Sequence, residues 1–177
     1  MMLAWIKNAY GSVPKPLRVF VVRAAIIFIV WRSLYYFVLG PTQIPDVPLI
    51  EFIVFCNSKL LGLFYDQITV IGHNILINGY NVMRVARACN GLELMALYIG
   101  FLLCVPTNAK RFWAYAAIGP VMIVGLNILR CAALGYLYYN GHQFADFAHH
   151  YVFKLVIYAA IFFLWVQYSK KHISYEQ

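Results

Sequence analysis

Charged side chains are scarce in this sequence, and acidic ones are the scarcest. Only 11% of the 177 residues are charged, with 6 Asp and Glu against 14 Lys and Arg, whereas about a quarter of a soluble domain is charged. Hydrophobic residues make up 63% of the chain, and the mean hydropathy is +0.72. This composition excludes an ordinary soluble domain and predicts an integral membrane protein.

Metal-ligand spacings are lacking as well. The cysteines show no CxxC pair, and the histidines form no HxxH or HExxH pattern, so we expect no metal and no cofactor. Three of the four cysteines lie in or beside apolar runs and are interpreted as small apolar fillers; they are Cys56, Cys104 and Cys131.

A nucleic-acid partner is not expected either, although the net charge is +8. The basic residues lie between apolar runs and form no stripe that could follow a phosphate backbone. The first residues contain no apolar run closed by a small-residue cleavage site, so we expect no removable signal peptide. The lipid bilayer is the expected surrounding.

Four apolar runs predict an all-α integral membrane helical bundle that forms one domain over residues 1–177. The spans are placed at residues 17–39, 90–106, 112–139 and 151–168. Lys and Arg collect before the first span, between the second and third, and after the fourth, which predicts that these segments lie inside. They are Lys7, Lys15, Arg18, Lys110, Arg111, Lys170 and Lys171.

The segment 40–89 then lies outside. Its first part, "LIEFIVFCNSKLLGLFYD" at 49–66, is apolar but interrupted by polar residues, which favours an interfacial amphipathic helix, with a fifth crossing as the alternative. The following "ITVIGHNILINGYNVMRVA" contains Asn-Gly between short apolar runs. That pattern predicts a small extracytoplasmic β-hairpin directly before Cys89.

Cys89 lies at the predicted outer start of the second span. Asn90 is expected to cap that helix, with Glu93 three residues later as its capping-box partner. The positive end of a helix favours the thiolate, which is the nucleophilic form of cysteine. Gly91 would let another backbone or a substrate approach closely.

Arg130 lies inside the third span, where a charge costs at least ~2.5 kcal/mol unless it is paired or reaches water. It is either a structural arginine that snorkels or a functional group, and Asn127 shares its helix face.

His149 and His150 precede the fourth span. They are either an interfacial pair without a task or partners of a cysteine in acid-base chemistry.

Three short segments resemble motifs of the exosortase/archaeosortase family of membrane cysteine transpeptidases: "ACNG" at 88–91, "NILR" at 127–130 and "HHYVF" at 149–153. The resemblance covers roughly residues 70–168. It implies that Cys89 is the nucleophile, that Arg130 stabilises the thiolate or the tetrahedral oxyanion, and that His150 is the acid/base, with His149 as the alternative. Supporting residues are Asn90, Gly91 and Asn127.

The same resemblance implies the reaction. Membrane-anchored protein substrates would carry a C-terminal sorting signal of a short motif, a membrane helix and a basic tail. The enzyme would cleave it through a thioester at the outer face of a bacterial inner membrane. The alternatives are a cysteine protease without transfer and a non-catalytic membrane scaffold or transporter subunit.

Overall fold

A computed structural model of the chain describes residues 14–105 and 107–170. Lys7, Pro106 and Lys171 of the predicted topology, and the start of the chain on which the signal-peptide expectation depends, lie outside the described residues. The helices are α1 (Lys15–Leu34), α2 (Asp46–Leu61), α3 (Leu92–Cys104), α4 (Ala109–Tyr139) and α5 (Ala145–Lys170). The strands between α2 and α3 are β1 (Ile68–Ile71), β2 (Asn74–Ile77) and β3 (Tyr80–Arg84).

Two of the described helices, α4 and α5, are long and apolar enough to cross a membrane. Helix α3 is apolar but has 13 residues, so its length is about 20 Å, less than the ~30 Å of a bilayer core. Helix α1 carries four basic residues, and it continues through a π-helical turn, Tyr35–Leu39, to Thr42. The structure thus supports two crossings by length and composition, and four crossings stay a prediction.

Helices α3, α4 and α5 share one apolar core, in which Tyr98 of α3 and Tyr168 of α5 are the largest fully buried side chains. The ring of Tyr98 lies against Gly119 of α4: a Cβ added at Gly119 would come within 1.9 Å of the tyrosine Cε1. The absence of a side chain at Gly119 is therefore what lets α3 approach α4. Helix α1 packs against α3, has no fully buried residue, and leaves most of its apolar surface exposed.

A second apolar core joins α2, the strands and the outer part of α4. The buried positions of α2 follow helical spacing and include Ile50, Ile53, Val54 and Leu61. A helix thus covers most of the segment 49–66, with earlier bounds. Its buried side packs against α4 and the strands, while Phe52 and Phe55 stay exposed. Its location at a membrane interface stays a prediction.

The strands form a three-stranded antiparallel sheet in the order β1-β2-β3, where a two-stranded hairpin was predicted. The predicted Asn-Gly turn is present between β2 and β3, with both Asn78 and Gly79 at positive φ, as a type I′ turn requires. The correction is β1, which pairs with β2 through the turn at Gly72. A single short apolar run before a glycine does not indicate whether that run will pair with the next strand.

Gly119→Ala should destabilise the protein, because the new methyl group overlaps the Tyr98 ring and overpacking costs about 1–3 kcal/mol. Gly125→Ala is the matched control on the same helix, since a Cβ at Gly125 meets nothing within 4 Å. Thermal unfolding in detergent should show a lower Tm for Gly119→Ala and an equal or higher Tm for Gly125→Ala. Equal losses in the two variants would contradict the packing described for Tyr98.

Candidate active site

Cys89 ends a short 3-10 turn, Arg87–Cys89, that connects β3 to α3. Its backbone is held on both sides: the N–H donates to the carbonyl of Ala86 at 2.9 Å, and its carbonyl oxygen accepts from Asn127 Nδ2 at 2.5 Å. The thiol is half-buried. The turn therefore presents the sulfur at a fixed place next to α4.

The start of α3 differs in detail from the predicted capping box. Gly91 is the residue before the helix and has φ +84°, a conformation that favours glycine. Asn90 still supplies a helix-start contact, since its Oδ1 accepts from the N–H of Leu92 at 2.9 Å. A close approach at Gly91 was expected from a backbone or a substrate; the group found there is the side chain of Ile123 of α4, whose Cγ2 would lie 3.2 Å from an added Cβ.

Glu93 does not return to Asn90, so the capping box is not formed. Its carboxylate forms an ion pair with Arg32 of α1 at 3.7 Å, and both side chains are largely exposed. The N–H of Asn90 donates instead to the carbonyl of Arg87. The reason is the 3-10 turn, whose own backbone hydrogen bond already satisfies the donor that a capping box would use.

Arg130 reaches from α4 to three groups of the predicted site. Its Nη2 lies 3.4 Å from Cys89 Sγ and 3.3 Å from His149 Nε2, and its Nη1 lies 3.4 Å from Asn127 Oδ1. Its Nε is buried and has no hydrogen-bond partner among the described residues. The guanidinium thus lies between the thiol and an imidazole.

The histidine beside Arg130 is His149, not His150. His150 is exposed and stacks on the His149 ring with centroids 4.9 Å apart. Both lie in a π-helical turn, Ala148–Val152, at the start of α5. Because a π turn takes one residue more than an α turn, it changes which neighbour faces the bundle.

The contact between Arg130 and His149 constrains the imidazole. Arginine has donors and no acceptor, so a hydrogen bond to Nε2 requires that this nitrogen carry no proton. The imidazole is then neutral, with its hydrogen on Nδ1. Such a histidine can accept a proton at Nε2.

A cavity of about 150 Å³ opens at Cys89. Three cationic side chains line it, against one carboxylate that is paired with Arg32; these four are Arg87, Arg130, Lys154 and Glu93. A larger apolar groove of about 580 Å³ runs beside it between α1, α3 and α5. The groove and the cavity share Glu93, Leu94 and Tyr158 as walls, so the two spaces adjoin.

Asp46 is a residue of this region that the sequence did not single out. It follows the proline-rich break after α1 and is 1% exposed, and its Oδ1 accepts from Asn90 Nδ2 at 2.5 Å. The available signal was a single acidic residue in an otherwise apolar sequence, which is too general to assign. Within the described residues, no group of three or more His, Cys, Asp or Glu side chains is arranged to hold a metal ion.

Comparison with protein families gives a match. The model described as "Transmembrane exosortase (Exosortase_EpsH)" covers residues 13–166 of the 177. The chain belongs to the transmembrane exosortase family. Members of this family are generally cysteine peptidases or transpeptidases of membranes. No curated protein and no solved structure matches this exosortase.

Arg130→Gln should slow the alkylation of Cys89 at neutral pH, because the guanidinium Nη2 lies 3.4 Å from the sulfur and stabilises the negative charge that the sulfur carries as it attacks the reagent. We expect a loss on the order of tenfold, the usual effect of losing one hydrogen bond to a charged group. The rate is measured by mass spectrometry with a maleimide in detergent, following the Cys89 peptide. Cys56, also half-buried, is the internal control. Equal slowing at both cysteines would indicate a change in folding and not in the site.

Proposed function

We propose that this exosortase is a cysteine transpeptidase or peptidase that cleaves C-terminal sorting signals through a thioester on Cys89. The observation that supports the proposal most is the position of Arg130, whose Nη2 contacts both the Cys89 thiol and the His149 imidazole. Arg130 is 41 residues from Cys89 and 19 residues from His149 along the chain, yet its guanidinium contacts both side chains. Nucleophile, cation and base are the groups that acyl transfer to cysteine requires.

In the proposed first half of the reaction, these three groups act together. His149 takes the thiol proton, and the Cys89 thiolate attacks the scissile carbonyl, so that a C–S bond forms and the carbonyl oxygen becomes an oxyanion. Protonation of Nε2 ends its hydrogen bond with Arg130, and the guanidinium then donates to that oxyanion. The C–N bond then breaks, and the imidazolium returns its proton to the leaving amine.

The second half releases the thioester. An amine or other nucleophilic acceptor, or water, attacks the thioester carbonyl, the C–S bond breaks, and the proton lost by the attacker returns to Cys89 through His149. The acceptor decides between transfer and hydrolysis. The mass of the new C-terminus of the product distinguishes the two, since transfer adds the acceptor.

The adjoining groove supports a substrate that carries a membrane helix. Its walls are mostly apolar and come from three helices, with the small residues Ala24, Ala96 and Gly100 among them, and it adjoins the cavity of Cys89. A helix seated there would bring the segment that precedes it to the thiol. The basic tail would then lie on the cytoplasmic side of the bacterial inner membrane, with the active site facing the periplasm, as the Lys and Arg distribution predicts.

A reporter protein that ends in such a signal, taken from the same genome, tests the reaction. Incubation with the wild-type enzyme should give an adduct on Cys89 that hydroxylamine releases, detected by mass spectrometry of the Cys89 peptide. Cys89→Ala should give neither adduct nor product, while Cys131→Ala, which removes a buried cysteine on α4, should retain processing. Normal processing by Cys89→Ala would contradict the transpeptidase hypothesis and favour the non-catalytic scaffold.

The two histidines are separated by their variants. His149→Ala should reduce the rate of reporter cleavage on the order of 10²- to 10⁴-fold, the usual contribution of general acid-base catalysis. His150→Ala should keep most of the rate, because His150 is exposed and contacts the site through the ring of His149. The reverse ranking would mean that α5 lacks the π turn in the active enzyme and that the sequence-based choice of His150 was right.

A further inference from the structure

Asp46 is a buried charged side chain that no step above uses. Both of its oxygens accept hydrogen bonds: Oδ1 from Asn90 Nδ2 at 2.5 Å and Oδ2 from the Tyr35 hydroxyl at 2.9 Å. No ion pair to Asp46 is found within the described part of the chain. A buried carboxylate is costly unless donors satisfy it, so these two contacts are what stabilises it.

Through Asn90 the carboxylate reaches the cysteine turn. Asn90 is 1% exposed and directly follows Cys89. The Nδ2 of Asn90 is bound to Asp46, so the Oδ1 of Asn90 is turned toward Leu92. It accepts a hydrogen bond from the N–H of Leu92 at 2.9 Å. Asp46 therefore fixes the side-chain orientation of the residue that connects Cys89 to α3.

A role in its own helix does not account for these contacts. Asp46 lies in the first turn of α2, where an acidic residue stabilises the helix dipole. An acid that served α2 alone would bind the free N–H groups of that turn. Both of its oxygens are bound instead to partners 11 and 44 positions away in the chain.

We propose that Asp46 is a positioning residue for Cys89, which acts through the amide of Asn90 and is itself anchored by Tyr35. Asp46 holds the side chain of Asn90, while Asn127 of α4 holds the carbonyl of Cys89. The expected effect on the rate of substrate cleavage rests on the proposed function. The expected effect on the alkylation of the Cys89 thiol does not depend on that function.

An exchange of the two side chains tests the proposal. Asn90→Asp places two carboxylates in contact and breaks the hydrogen bond between positions 46 and 90. In the double variant Asp46→Asn/Asn90→Asp, the amide at 46 donates to the carboxylate at 90. That carboxylate still accepts from Leu92 N–H, and Tyr35 donates to the amide oxygen, so all three hydrogen bonds are restored.

We measure single-turnover cleavage of the reporter and alkylation of Cys89 by a maleimide, each per folded molecule. Asn90→Asp should slow cleavage on the order of 100-fold, the effect of a misplaced reacting group, and should slow alkylation too. The exchange should recover most of both rates. Tyr98→Phe is the control, because it removes a buried tyrosine hydroxyl that donates to Tyr115, and it should lower Tm without changing either rate.

A folded exchange variant that is no faster than Asn90→Asp in either assay overturns the proposal. So does a folded Asp46→Ala protein with parental cleavage and alkylation rates. If Cys89→Ala also cleaves the reporter, the proposed function fails, and the alkylation rates alone then decide the role of Asp46.

Discussion

The guanidinium of Arg130 imposes the constraint on which the site depends. It lies in an apolar helix, and a charge at such a position is tolerated when polar groups surround it. Those groups come from three places: the amide of Asn127 on the same helix, the Cys89 turn and the start of α5. Satisfying one cation therefore requires that distant parts of the chain converge, and that convergence assembles the candidate site.

Helix α4 organises this convergence. Successive positions on it touch α3, the glycine before α3, the cysteine turn, the histidine of α5 and the end of α2. These positions are Gly119, Ile123, Asn127, Arg130 and Gly135. The first four are three or four residues apart, which is the spacing of one helix face, and Gly135 lies on another side of the helix. One rigid helix thus sets the relative depth of nearly every group in the site. The two glycines let neighbours approach, and the two polar residues bind them.

Features of the fold and of the candidate site could be predicted where they depend on residues that are close together in the sequence. The family resemblance, the place of Cys89 just before α3, the shared face of Asn127 and Arg130, and the Asn-Gly turn follow from short local patterns in the sequence. Other features depend on contacts between distant segments. The role of Asp46 depends on its hydrogen bond with Asn90, which is 44 residues away. Likewise, β1 becomes a strand by pairing with β2. The Arg32–Glu93 pair likewise replaces a capping box that a local pattern favours.

The π turn at Ala148–Val152 has a consequence for how related sequences can vary. A helix that holds one extra residue in a wide turn can lose it and become regular α-helix without disturbing the residues that follow, since the core positions of α5 keep their partners. Deletion of one residue in this turn would then rotate its first half and bring a different side chain to Arg130. The number of residues between the imidazole at Arg130 and the buried face of the last helix is thus free to differ by one, and adjacent histidines keep an imidazole available in either register.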